Sequence, residues 1–286
     1  MQNTFFTLIV FSTISFSASA QYLEMGIFGG GAVYNGDLSH HAIELSEVHP
    51  AFGIKAATPL NAYFALSLNA RYTTLTGTDD NSQKPAFAAR NLDFRTTFIE
   101  AGLTFECFLF GYDPLHQKIF SPFIYTGVNW FHFNPTTEYN GVTYELQPLG
   151  TEGQGTSAFP DRTPYALSQV SIPMGAGLKY AVSRTFNIAL SFTANKTFTD
   201  YIDDVSTTYV DETTLTAENG ALSFELSNRT DEYLNSEPLP YDEFHPRGNP
   251  AYKDWYGYGG ITLSYNLIFE KTRGSYKNAH LECPQF

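Results

Sequence analysis

Residues 255–269 read WYGYGGITLSYNLIF, and they place two chemically different sets of side chains in strict alternation. One set is apolar and contains Ile261, Leu263, Tyr265, Leu267 and Phe269. The other set is small or polar and contains Gly260, Thr262, Ser264 and Asn266. Because a β-strand repeats every two residues, one face would meet an apolar medium and the other would meet polar groups or water. This pattern is typical of a strand in a transmembrane β-barrel with lipid outside and a polar interior.

The N-terminus has the features of an export signal. Residues 1–20 contain the apolar run TFFTLIVFSTISF and end in Ala18-Ser19-Ala20, the small residues that precede a cut before Gln21, although the segment has no Lys or Arg. The run is too short to span a bilayer as a helix, which takes about 20 apolar residues. No other segment is as apolar, so we expect insertion by strands, which requires a closed barrel. The predicted organisation is a signal peptide at 1–20, a barrel at 21–269 and a tail at 270–286.

The same alternation recurs along the chain. It predicts eight strands, at about 22–34, 50–58, 63–76, 94–109, 120–133, 168–182, 186–199 and 255–269. The connections after the second, fourth and sixth strands are short, and the others are long. Outer-membrane barrels have short periplasmic turns and long external loops, so both termini are expected in the periplasm. The predicted fold is an all-β, eight-stranded antiparallel transmembrane barrel of the outer-membrane type.

Composition and motifs limit the possible functions. A net charge of -13 and a pI near 4.8 argue against nucleic acid as a partner. Aromatic residues make up 16% of the chain, which suits the interfacial girdles of a barrel. No G-x-S-x-G, H-E-x-x-H or glycine-rich phosphate loop occurs, so we expect no enzyme, no cofactor and no metal site. A lipid-modifying or proteolytic barrel is the less favoured alternative.

Charged residues fall on the predicted inner face of the strands. By this register, the inward set contains Lys55, Arg71, Glu100, Glu106 and Lys179. The interior of an eight-stranded barrel is about wide enough for side chains to fill, so these residues are interpreted as a buried ion-pair network. A conducting pore is the alternative, but porins take about 16 to 18 strands.

The longest loop, 200–254, is strongly acidic. It has 13 Asp or Glu residues against 3 Arg or Lys, a local charge of -10. We interpret it as solvated surface. One alternative is binding of divalent cations, although no calcium-loop motif is present. The other alternative is binding of an extracellular or secreted protein.

The tail after the barrel carries positive charge in an acidic protein. Its candidate partner-binding residues are Lys271, Arg273, Lys277 and Cys283. A disordered terminus is the competing interpretation. The other cysteine, Cys107, falls on the lipid-facing register of the fourth strand. A bridge from Cys283 to another protein, an internal bridge and free thiols all remain open.

Four segments together resemble a known family. They are YLEMGIFGGGAVYNGDL at 22–38, TDYIDDVSTTYVD at 199–211, Arg247-Gly248 and the final DWYGYGGITLSYNL. They are similar to the PorG-type outer-membrane proteins of Bacteroidetes, over most of the chain from 22 to 269. The resemblance implies a component of the type IX secretion system that holds a periplasmic ring, made of a PorK-like lipoprotein and a PorN-like protein, at the outer membrane. A small barrel that acts through its acidic external loops is the alternative.

Overall fold

The computed structural model describes residues 22–41 and 43–268. The predicted signal peptide and the predicted tail, with Lys271, Arg273, Lys277 and Cys283, lie outside the described residues.

Eight long strands form a closed antiparallel barrel. They are β1 (Tyr22–Asn35), β2 (His49–Pro59), β3 (Phe64–Thr78), β4 (Asp93–Phe108), β5 (Phe120–His132), β8 (Ser168–Ala181), β9 (Phe186–Thr197) and β10 (Trp255–Ile268). Two short strands, β6 (Pro135–Tyr139) and β7 (Val142–Glu145), form a hairpin beyond β5. Around the barrel the order is β3, β2, β1, β10, β9, β8, β5, β4, and pairing of β3 with β4 closes the ring.

Alternation of side chains explains why these segments become barrel strands. In β9 every second residue from Asn187 to Thr197 is buried, and every intervening residue is exposed. Apolar side chains such as Ile27, Ile54 and Phe192 are more than half exposed on the outer wall. A water-facing protein would gain stability by burying such a surface, whereas a lipid-facing wall leaves it in an apolar medium. The predicted eight-stranded outer-membrane barrel is thus confirmed.

The connections divide the barrel into two different ends. The short connections 60–63, 109–119 and 182–185 lie at one end, which we call the short-turn end. At the β2–β3 turn, the Asn61 side chain accepts hydrogen bonds from the backbone N–H groups of Tyr63 and Phe64 at 2.7 and 3.0 Å. Tyr22 pairs with Ile268, so both ends of the barrel chain also lie there.

The opposite end, which we call the long-loop end, contains secondary structure that the alternation did not predict. Besides the β6–β7 hairpin, it holds four short helices: α1 (Pro85–Arg90), α2 (Glu212–Glu218), α3 (Ala221–Ser227) and α4 (Thr230–Leu234). Within residues 22–41 and 43–268, no helix is long and apolar enough to cross a membrane.

Candidate functional site

The middle of the barrel is closed by a charged layer around Arg71 and Glu100. These residues are direct cross-strand partners on β3 and β4, and Arg71 Nη1 donates to Glu100 Oε1 at 2.6 Å. The other carboxylate oxygen of Glu100 accepts from Tyr256 at 2.8 Å and from Asn129 at 3.2 Å. The Arg71 guanidinium also lies 4.9 Å from the ring centre of Tyr258. Paired charged groups, hydrogen-bonded polar groups and aromatic rings therefore fill this layer.

A second charged layer lies nearer the short-turn end. Lys55 forms an ion pair with Glu106, and Lys179 Nζ donates to Glu24 Oε2 at 2.5 Å. Ser67 Oγ donates to Glu106 at 2.6 Å. All these side chains point inward and are nearly inaccessible to solvent. Each charged group among them has an opposite charge beside it. A buried charge without such a partner would be costly.

The structure brings the five sequence-predicted lumen residues into these two layers. Arg71 pairs with Glu100 and Lys55 pairs with Glu106, whereas Lys179 pairs with Glu24, which the sequence-based network omitted. Glu24 lies on the predicted polar face of β1, so its position in the alternation was the available signal. With Glu24 included, three carboxylates face three cations, and the lumen network is electrically balanced.

The loops at the long-loop end fold into one body that we call the cap, formed by residues 36–41, 43–48, 79–92, 133–167 and 198–254. Apolar cap residues join a single buried cluster with inward side chains of the barrel. Ile202, Val205 and Leu226 are at most 1% exposed there. Phe98 and Phe131, from the barrel wall, stack at 5.1 Å within the same cluster. The cap is therefore packed onto the lumen contents.

A buried ion-pair network ties the two longest loops together inside the cap. Arg247 Nη1 lies 3.1 Å from Glu152 Oε1, and its Nη2 lies 3.7 Å from Asp204 Oδ2. Glu152 also accepts from the backbone N–H groups of Ser206 and Thr207, both at 2.9 Å. The Glu152 carboxylate thereby joins two distant parts of the 198–254 loop, the backbone at 206–207 and the side chain of Arg247.

A second buried pair anchors the β3–β4 loop to the same body. Arg90 donates to Asp79 through two nitrogens, at 2.6 and 2.7 Å. Its remaining donors reach the backbone oxygens of Arg247 at 2.5 Å and Asp37 at 3.0 Å. A guanidinium has donors in a fixed planar fork, which suits one residue to clamp three chain segments at once.

The interpretation of loop 200–254 as solvated surface was wrong for four of its aspartates. Asp200, Asp203, Asp204 and Asp254 are at most 2% exposed. They lie at the two ends of the loop, where it leaves and re-enters the barrel wall, so the packing of the cap covers them. Burial raises the pKa of Asp204 to about 6, against the attraction of the Arg247 guanidinium.

The remaining acidic residues of this loop do face solvent. The exposed ones are Glu212, Glu218, Glu225, Glu232, Glu237 and Glu243. In the described part of the chain, no group of three His, Cys, Asp or Glu side chains is placed to hold a metal ion. Cys107 lies on the outer face of β4 and is partly exposed, as its register predicted.

Solved structures of small outer-membrane barrels are similar to this chain in outline. The attachment invasion locus protein Ail of Yersinia pestis has a TM-score of 0.41 and 10% identity, covering 86% of this chain and 99% of that one. Neisserial surface protein A has a TM-score of 0.37 and 9% identity, covering 86% and 97%. OprG from Pseudomonas aeruginosa has a TM-score of 0.34 and 9% identity, covering 87% and 98%.

Sequence comparison identifies one family. None of the curated proteins matches the sequence. A family model matches residues 2–224, which is most of the chain. The chain belongs to the family described as Domain of unknown function (DUF6089).

Proposed function

We propose that this protein is an outer-membrane anchor in a protein secretion machine of the type IX kind. The observation that carries the proposal is the filled lumen: two balanced layers of ion pairs and a packed cap leave only the two ends and the outer wall available for function. A solid barrel of this kind suits a membrane attachment point better than a channel. The proposal includes no catalytic role.

The short-turn end is the proposed docking side. Both ends of the described barrel chain lie there because Tyr22 pairs with Ile268, and residues 269–286 follow Ile268 in the sequence. They carry the proposed partner-binding residues Lys271, Arg273, Lys277 and Cys283. In the proposed orientation this end faces the periplasm, where a PorK-like lipoprotein and a PorN-like protein would form the ring. The resemblance of the four sequence segments supports this choice of partner.

Affinity isolation from mild detergent extracts tests the proposal. We expect the full-length protein to recover periplasmic ring proteins and a variant truncated after Phe269 to lose them, because every barrel strand remains in the truncated chain. Replacement of residues 212–234 by a Gly-Ser linker is the matched control at the other end and should keep the ring proteins. Recovery of the same proteins by the truncated chain at equal abundance would contradict the docking role of the tail.

Cys283 gives a second readout of the same surface. We propose that it forms a disulfide to a periplasmic partner, which would hold the attachment under load. On non-reducing gels we expect a species of higher mass that contains this protein and a lipoprotein, and that disappears in Cys283→Ser but persists in Cys107→Ser. Loss of the species only in Cys107→Ser would show that the wrong thiol was assigned.

A binding protein that acts through its cap is the second candidate. The observation that favours it is the buried Arg247–Glu152 and Arg90–Asp79 network, which fixes long loops that could otherwise be mobile. A rigid cap presents a constant surface to a partner at low entropic cost. In the isolation experiment, this function predicts that the 212–234 replacement loses the partner and the truncated chain retains it.

A further inference from the structure

The two ends of the longest loop meet at one tyrosine hydroxyl at the mouth of the barrel. Tyr34, near the end of β1, places its Oη 2.5 Å from Asp203 Oδ2 and 3.0 Å from Asp254 Oδ1. All three side chains are at most 2% exposed. We call these three residues the proton clamp.

Hydrogen-bond counting in the clamp requires an additional proton. A tyrosine hydroxyl has one hydrogen, and an ionised carboxylate only accepts. The Tyr34 hydroxyl therefore donates to only one of the two carboxylates. At the other carboxylate, the hydroxyl oxygen and a carboxylate oxygen face each other, and both are acceptors. A proton on one of the two carboxyl groups removes this conflict, because that group then donates to the Tyr34 oxygen.

The backbone contacts identify which carboxyl carries the proton. Asp203 accepts from Val205 N–H through Oδ1 at 2.9 Å, and from Leu38 N–H through Oδ2 at 3.2 Å. Both of its oxygens are thus used as acceptors. Asp254 accepts from Ile202 N–H through Oδ2 at 2.8 Å, which leaves Oδ1 to hold the proton and donate to Tyr34. The chain of donors then runs from Asp254 through Tyr34 to Asp203.

Packing around the clamp leaves no space for it to relax in place. A methyl group added at Gly36 would lie 2.0 Å from both Asp254 Oδ1 and the Tyr34 hydroxyl oxygen. Such a distance is far inside van der Waals contact, so the loop after β1 passes directly over the clamp. Loss of the proton would place two negative charges against one hydroxyl in a site that water cannot enter.

Burial and neighbouring acidic groups raise the pKa of both clamp carboxyl groups. For Asp203, burial raises the pKa, Asp37 raises it further and Arg90 lowers it. For Asp254, burial raises the pKa, and the charges of Asp203 and Asp200 raise it further. The other buried charged groups of this part of the cap are Asp79, Glu152, Asp204 and Arg247, and the exposed Lys253 acts on Asp200. The net electrostatic environment favours a retained proton.

We propose that the proton clamp is a pH-sensitive latch that holds the cap closed while Asp254 is protonated and releases the loop 198–254 when that proton leaves. The direction of the pH effect follows from the linkage between proton binding and closure of the cap. A carboxyl group that holds its proton more tightly in the closed cap than in the open one stabilises the closed state at low pH. This stabilisation is lost as the pH rises through the pKa of the closed state.

Other cap carboxyl groups contribute at lower pH. Burial raises the pKa of both Asp200 and Asp204 to about 6, so their contribution disappears between about pH 4 and that value. The latch is therefore separated from this background by substitution of Asp254 itself. The inference does not depend on the secretion role, since it concerns the cap and not the short-turn end.

A tryptophan placed inside the loop provides the readout, because the side chain of Trp255 itself lies on the outer face of β10. The chain has two tryptophans, and Trp130 also lies on the outer face, so both are replaced by Phe. Tyr209→Trp, at a position of the loop that is 3% exposed, is then the sole reporter. Acrylamide quenching of its fluorescence, measured on the full chain in lipid vesicles from about pH 4 to about pH 9, follows opening of the cap. Retention of the barrel is checked by the mobility shift on heating before electrophoresis.

Two amide substitutions should have opposite effects. Asp254→Asn keeps the acceptor for Ile202 and places a permanent N–H donor toward Tyr34, so the rise in quenching with pH should be lost. Asp203→Asn puts an NH₂ group against a backbone N–H, so quenching should be high at every pH. Asp242→Asn, at an exposed ion pair with His245 in the same loop, should behave like the parent.

Gly36→Ala tests the clamp without changing any charge. Its methyl group should separate Tyr34 from Asp254 and give high quenching at all pH values. The same rise in quenching with pH in Asp254→Asn as in the parent would overturn the proposal. If Asp254→Asn fails to insert, Gly36→Ala decides the test. Quenching in Gly36→Ala that is as low as in the parent at low pH, and that rises with pH as in the parent, would overturn the proposal.

Discussion

Arg247 and Glu152, which are 95 residues apart in the chain, meet inside the cap with Nη1 and Oε1 at a distance of 3.1 Å. Both side chains are at most 2% exposed. The pair joins the loop between β5 and β8 to the loop between β9 and β10. The two longest connections of the barrel therefore behave as one packed unit and do not extend separately into solvent.

Loss of Arg247 should open the cap and leave the barrel intact. Arg247→Ala leaves Glu152 buried without its cation, a change that typically costs about 3 to 5 kcal/mol. We expect rapid proteolysis within 198–254 at a protease concentration that leaves the parent uncut, with an unchanged heat-dependent gel shift of the barrel. Lys253→Ala, in the same loop at an exposed position, is the control and should resist cleavage. Equal resistance of the two variants would contradict a structural role for the pair.

Breaking the lumen pair should weaken the barrel itself. Arg71→Met leaves the Glu100 carboxylate buried without a cation, so we expect a loss of about 3 to 5 kcal/mol in reversible unfolding from lipid vesicles. Adding Glu100→Gln should recover part of that loss, because the amide is uncharged and still accepts from Tyr256. Arg95→Met, at an exposed position on β4, should change stability by less than about 0.5 kcal/mol. A double variant less stable than Arg71→Met would argue against charge pairing as the cause.

The alternation could predict the barrel because its cause is local. Each strand has its own two-residue pattern, so the span of β9 or β10 follows from neighbouring residues alone. Inward positions of Lys55, Arg71, Glu100, Glu106 and Lys179 follow from the same pattern. Their pairing does not, because it depends on the stagger between strands around a closed ring. This is why Glu24 was missed as the partner of Lys179.

The cap could not be predicted for a related reason. Its buried aspartates, Asp203 and Asp254, lie 51 residues apart by number and are covered by loops without any periodic pattern. Acidic composition alone predicts solvent exposure, which holds for Glu212 and Glu237 but not for these two. A signal was present in the segment TDYIDDVSTTYVD, which the family resemblance emphasised and which supplies Asp203, Asp204 and the amides that Glu152 binds.

Two adjacent residues test the lipid register of the wall. Leu103 is 44% exposed and points outward, whereas Thr104 is 4% exposed and points into the lumen. Leu103→Arg should cost about 2 to 4 kcal/mol near the membrane midplane and less near an interface. Thr104→Arg should be limited by lumen space and by its charge, and it should leave the outer wall unchanged. Labelling of cysteines at both positions by a lipid-soluble reagent should modify 103 only; modification of 104 alone would mean a register error of one residue.

Orientation in the membrane can be tested by labelling intact cells. In a background with Cys107→Ser and Cys283→Ser, an impermeant thiol reagent should label cysteines placed at Ala158 and Phe244. It should leave a cysteine at Arg184 or His116 unlabelled until the outer membrane is permeabilised. All four positions are exposed, so accessibility of the side chain does not decide the result. Labelling of Arg184→Cys in intact cells, with none of Phe244→Cys, would place the short-turn end outside.

Single-channel recording tests most directly the claim that this barrel is a solid anchor and not a pore. The purified full chain is inserted into planar bilayers at neutral pH, and insertion is verified by recovery of the folded form. The control for detecting conductance is a variant in which both charged layers are emptied and the cap loop 200–252 is replaced by a Gly-Ser linker. Its lumen substitutions to Ala are at Glu24, Lys55, Arg71, Glu100, Glu106 and Lys179. The account predicts no discrete conductance steps from the parent and measurable steps from the emptied variant. Stable, reproducible conductance steps from the parent protein would contradict it.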